Sequence, residues 1–101
     1  MKLLTKEILS RLPPLCSQEN NPDPTVHVKF FDPSGSWTWY ATEGSQNEED
    51  FLFFGLVKGF EDELGYFSLK ELKSIKGKLG LGIERDRYFI PKPLSQIKKE
   101  E

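Results

Sequence analysis

The stretch that most limits what this chain can become is FLFFGLVKGF, residues 51–60. A strand that packs on one side only alternates apolar with polar residues. Here Phe51 and Phe53 fall on one side of an extended chain and Leu52 and Phe54 on the other, so both sides are apolar. Such a strand belongs inside a sheet with cover on each face, since a bare face would leave a row of large side chains in water. Residues 51–58 therefore define a central strand, and its cover must come from the rest of a 101-residue chain. The segments available are hairpins and short helices. The expectation is an α+β fold: a single compact domain over residues 1–101, an antiparallel sheet with short covering helices.

The neighbouring strands are readable from alternation. VHVKFF places Val26, Val28 and Phe30 on one face and His27, Lys29 and Phe31 on the other. Asp32-Pro33-Ser34-Gly35 supplies turn chemistry, and SWTWYAT returns as the second arm of a hairpin. Residues 43–50, EGSQNEED, read as a polar acidic connection, and EDELG as a turn towards Tyr66 and Phe67. Residues 84–90 suggest a strand whose exit through Pro91 and Pro93 marks a sheet edge or the end of pairing.

Two helices carry start signals. Thr5 is placed to cap KEILSRL, with Leu4 and Leu9 as a hydrophobic staple, Ile8, Leu9 and Leu12 as the docking face and Pro13-Pro14 as the stop. Ser68 and Glu71 form a capping box, flanked by Phe67 and Leu72. That helix presents Leu69, Leu72 and Ile75 on one side, and Gly77 is placed to end it. Ser95 is placed to cap a last turn.

The chemistry-bearing residues are sparse. Trp37 and Trp39 share a strand face with Ala41, and Ser36, Thr38, Tyr40 and Thr42 share the other. The pair reads either as core or as a stacking platform. A platform for nucleic acid wants interleaved Lys or Arg, and the next charges are Glu43 and an acidic run. His27 and Cys16 are each the sole residue of their type, so a metal site would have to draw on Asp23, His27, Asp32 and Glu43, which no spacing motif joins. Cys16 has no base near it in sequence, and the pairs Glu61/Glu63 and Glu84/Asp86 read as solvated acids. KGKLGLG lacks the pattern of a phosphate loop. Arg85 and Arg87 would point to one face, to receive a carboxylate or phosphate or to pair with the acids of residues 43–63. No catalytic residue, metal or cofactor is assigned. The candidate binding residues are Trp37, Trp39, Tyr40, Glu43, Arg85 and Arg87.

Charge is uneven along the chain. Residues 43–67 hold seven acids against Lys58 alone, and residues 68–101 hold nine basic residues against five acids. One sheet face or the acidic segment suits a protein partner, with the protein itself a monomer or weak dimer. Nucleic acid is the alternative partner, through Lys70, Lys73, Lys76, Lys78, Arg85 and Arg87, although the net charge of −2 opposes it. The lone cysteine, the early charges Lys6 and Glu7 and the lack of a long apolar run predict a cytoplasmic protein with no membrane association.

The ordered phrases WTWYATEG, FLFFGLVKGFEDELGYFSLKEL and GLGIERDRYFIPKPLSQI resemble a family of short bacterial proteins classed as a domain of unknown function, often met on plasmids and integrative elements. The resemblance runs from KLLTKEIL to Ile97. It implies a single cytoplasmic domain and an accessory role on a mobile genetic element, and carries over no reaction or ligand.

Overall fold

The computed structural model describes residues 2–77 and 79–100. In chain order the elements are α1 (Lys6–Arg11), β1 (Thr25–Val26), β2 (Val28–Phe31), β3 (Thr38–Asn47), β4 (Asp50–Lys58), β5 (Asp62–Ser68), α2 (Leu69–Ser74), β6 (Glu84–Arg85), β7 (Lys92–Pro93) and α3 (Leu94–Lys99). Five strands form an antiparallel sheet in the order β5-β4-β3-β2-β6, and β1 pairs with β7 in a separate two-stranded ribbon. The fold is α+β. Strand β4 is interior, as its two apolar faces require, and the middle position belongs to β3.

Each face of the sheet has its own core. On one, Val28, Phe30, Trp39, Phe53 and Phe67 pack with Ile8 and Leu12 at α1 and Leu72 of α2. On the other, Leu56 packs with Val26 and with Leu94 and Ile97 of α3. The helices have only six residues each and would not persist alone, so docking holds them. Thr5 caps α1, its Oγ1 accepting from the Ile8 amide at 3.3 Å. The capping box of α2 is formed by Ser68 and Glu71.

Several expectations need correction. Residues 43–47 continue β3, and the turn is the two-residue Glu48-Glu49, with Glu48 at φ 55°. Only the tip from Gln46 to Glu49 is exposed; Glu43 is buried under the loop after α1 and Gly44 against Phe51 and Leu12, so no apolar alternation marks this stretch. Residues 62–68 form β5, so EDELG is mostly strand and the turn is confined to residues 59–61. The outer position of β5 leaves Leu64 and Tyr66 exposed, which blurs the alternation. Leu9 is 45% exposed and turns away from the core that holds Ile8 and Leu12. Val26 joins the α3-side core, opposite Val28 and Phe30, because the chain leaves the large sheet at His27. Helix α2 ends at Ser74 with Ile75 as its C-cap, before Gly77, whose closeness to the Ser34 hydroxyl leaves no room for a Cβ. The strand expected at 84–90 is only Glu84–Arg85. Ser95 does not cap α3; its amide and hydroxyl donate to Asp23 at 2.9 and 2.7 Å, so the cap comes from another segment. Those bonds, the hydroxyl first, hold the Asp23 carboxyl below its ordinary pKa.

Candidate functional site

A groove of about 490 Å³ opens on the α2 side of the sheet beside β5. Trp39, Val57 and Gly65 reach it from three adjacent strands. The register explains why: Trp39 lies opposite Val57, and Val57 opposite Glu63, so all three point the same way. Trp37 stands just before β3, half-buried, with its ring 5.9 Å from that of Trp39 and 5.4 Å from the exposed Phe60. The indole lies against Gly59, where a Cβ would collide with it. At Gly65, by contrast, a Cβ would meet nothing within 4 Å.

Three carboxylates surround this aromatic floor. Glu63 extends from β5, and Glu71 is held by the Ser68 amide at 3.2 Å. Asp32 is fixed in its turn, accepting from the Ser34 amide and hydroxyl at 2.9 Å each. Among the described residues, no lysine or arginine lines the groove. Its outer rim is the free edge of β5, which pairs with no further strand among the described residues. An apolar trough with an acidic rim beside unpaired backbone suits an extended chain that brings its own amides, carbonyls and cations.

A family model matches residues 3–99, nearly the whole chain. The chain belongs to the family described as protein of unknown function (DUF2958). No curated protein and no solved structure matches it.

The six candidate residues of this DUF2958 chain fall in four places. Trp37 and Trp39 line the groove. Tyr40 is on the opposite face, half-buried, with its ring 6.3 Å from that of Phe89 and the Lys29 ammonium 5.7 Å from its centroid. Burial, and then Glu100, Asp86 and Asp62, push its hydroxyl pKa up. Glu43 is only 5% exposed. The register between β3 and β4 shifts there, with Thr42 as the extra residue, which turns Glu43 away from the Trp39 side and under the loop after α1. Its carboxylate accepts from the Cys16 amide at 2.9 Å and the Gln18 amide at 2.7 Å. Cys16 adopts φ 72°, a left-handed conformation of the kind that lets nearby amides converge on one anion.

Arg85 and Arg87 line a separate small cavity with His27. They occupy the β6 side of the sheet, about 19 Å from β5 at four strand spacings, so pairing with Glu61 or Glu63 is excluded. The wider basic set is not one surface either. Lys70 meets Glu49 at 4.0 Å beyond the β3–β4 turn, whereas Lys73 lies near Glu84, and Lys78 is outside the described residues. Asp23, His27, Asp32 and Glu43 do not assemble: among the described residues, no group of three such side chains is placed to hold a metal ion. No helix among them is long and apolar enough to cross a membrane.

What the sequence reading missed is the β5 side of the groove. Glu63, Gly65 and Phe67 share a face with Val57 and Phe53 through the β4–β5 register. The signal was a second hairpin, with GFE as its loop between FLFFGLVK and DELGYFS.

Proposed function

We propose that this protein is a protein-interaction module that takes an extended segment of a partner along β5. The observation that carries this reading is the trough floored by Trp39 and Val57 and walled by Trp37, open along an unpaired strand edge. Strand addition supplies backbone hydrogen bonds, and the trough takes one or two apolar side chains of the incoming strand. Asp32, Glu63 and Glu71 favour Lys or Arg beside those apolar residues. The occupant is therefore an extended peptide in which apolar and basic residues alternate. The cytoplasmic accessory role on a bacterial mobile element rests on the resemblance of the quoted phrases.

Gly65→Val tests the reading, because a Cβ there meets nothing within 4 Å and a β-branched side chain suits a strand while intruding on the trough. A random peptide library displayed against the parent protein should enrich apolar–basic alternating sequences. Those peptides should bind Gly65→Val at least tenfold more weakly, with both proteins melting at the same temperature. Equal enrichment on the two proteins, or none on either, would sink the trough as a binding site.

A further inference from the structure

At the sheet edge remote from the groove, a cavity of about 120 Å³ lies between α1 and the segment after β6. Three separate stretches of chain bring nitrogen-bearing side chains to it: Arg11 from α1, His27 from the junction of β1 and β2, and Arg85 with Arg87 from β6 and the residues just after it. Glu7 and Asp86 are the acids that also line it. Asp86 is turned towards Lys29 at 3.9 Å, and Glu7 sits 3.9 Å from Arg11 across one helical turn. The lining thus holds three guanidiniums against two carboxylates. The cavity is well below the volume of pockets that enclose drug-sized ligands.

We infer that this cavity binds a small phosphate-class oxyanion, gripped by Arg11, Arg85 and Arg87 with His27 as a further donor. Guanidinium forks match the oxygens of such an ion in geometry and charge. The framework is anchored before any ligand arrives. Arg85 donates to the Lys2 carbonyl at 2.7 Å, the Asp86 amide donates to the Lys29 carbonyl at 2.9 Å, and the His27 amide to the Ala41 carbonyl at 2.9 Å. Burial, and then Arg11, hold the His27 imidazole below its ordinary pKa, so Arg11 and a protonated His27 repel each other. A bound anion cancels that repulsion, and the site then takes up a proton as it fills.

His27 is the sole histidine, so its ring protons report the site without ambiguity in a proton NMR titration. The experiment follows the His27 pKa in sodium phosphate, in glycerol phosphate and in sodium chloride at matched ionic strength. Phosphate should raise it by at least half a unit over chloride and saturate in the millimolar range. A matching response to glycerol phosphate shows that the phosphoryl group is what is recognised; a response to inorganic phosphate alone limits the ligand to the free ion. Arg87→Gln, a change at an exposed residue, should weaken the phosphate midpoint about tenfold, the loss expected for one charge-assisted hydrogen bond. Arg11→Gln should raise the His27 pKa in chloride, because it removes the repulsion itself. Identical curves in phosphate and chloride would overturn the inference, as would an unsaturable response or one that Arg87→Gln leaves intact.

Discussion

The two edges of the large sheet are built to opposite ends. The β6 edge is blunt: two residues pair with Phe30 and Phe31, and the chain then leaves through Asp86 towards the prolines at 91 and 93. The β5 edge runs for seven residues with exposed Leu64 and Tyr66 and no covering strand among the described residues. Proteins usually shorten, cover or charge such an edge, because unpaired amides and carbonyls invite other chains. Here one edge is shortened and the other is left long, with acids at one end of it. The difference teaches where a partner strand has room to add. Only part of the charge asymmetry follows the edges: Glu61, Asp62 and Glu63 stand at one, while Arg85 and Arg87 at the other are interleaved with Glu84 and Asp86.

The largest test removes the side chain on which the β5 groove rests. Trp39→Ala should lower stability by roughly 3–5 kcal/mol, the usual loss for a buried indole, and thermal melting will show it. Trp37→Ala, at a partly buried position packed against the same core, should lose less, about 2 kcal/mol, and also weaken peptide binding. Equal losses for the two would mean that Trp37 is core and that the groove wall is not a recognition surface.

A smaller effect sharpens the contrast at the other end of β5. Ser68→Ala removes the α2 cap and should lower the denaturation midpoint by an amount equivalent to about 1 kcal/mol. Hydrogen exchange should quicken in α2 and β5 before it quickens near β6. An unchanged midpoint would show that the helix does not depend on this cap.

The smallest effect belongs to the β6 side. A His27 pKa below its unfolded value means that the unfolded chain binds the proton more readily, so acid favours unfolding through this group. Its contribution is complete above the unfolded value of about 6.5 and is lost as pH falls through the folded one. Melting temperature should therefore decline below pH 6.5 in the parent and less steeply in His27→Gln. Parallel declines would remove His27 from the pH response.

Much of the frame was legible because its signals are local. FLFFGLV declares an interior strand by having no polar side, and Ser68 with Glu71 declares a helix start by reciprocal capping. Three features were hidden for three reasons. Residues 43–47 are strand without alternation, since only neighbouring strands and the loop after α1 stabilise them. Leu64 and Tyr66 look like core residues and are exposed, because β5 has a neighbour on one side only. Asp23 caps α3 across 72 residues of sequence, a distance at which no capping pattern can be read. The candidate site was half legible for the same reason: Trp37 and Trp39 stand out in sequence, whereas Gly65 becomes informative only once β5 is paired.

The extra residue at Thr42 gives β3 two phases. Trp39 and Ala41 point to the helical side before it, and Gly44 and Gln46 point there after it, opposite Phe53 and Phe51. Gly44 has no alternative to being small, since a Cβ would press into the Phe51 ring and the Leu12 side chain. Deleting Thr42 would restore regular alternation and invert the outer half of the strand, bringing Glu43 and Ser45 to that crowded side and releasing the loop that Glu43 holds. Shortening both arms by one residue each keeps every partner opposite its own. Length variation among functional relatives of this chain should therefore come in matched pairs at the hairpin tip, and single-residue gaps there should be rare.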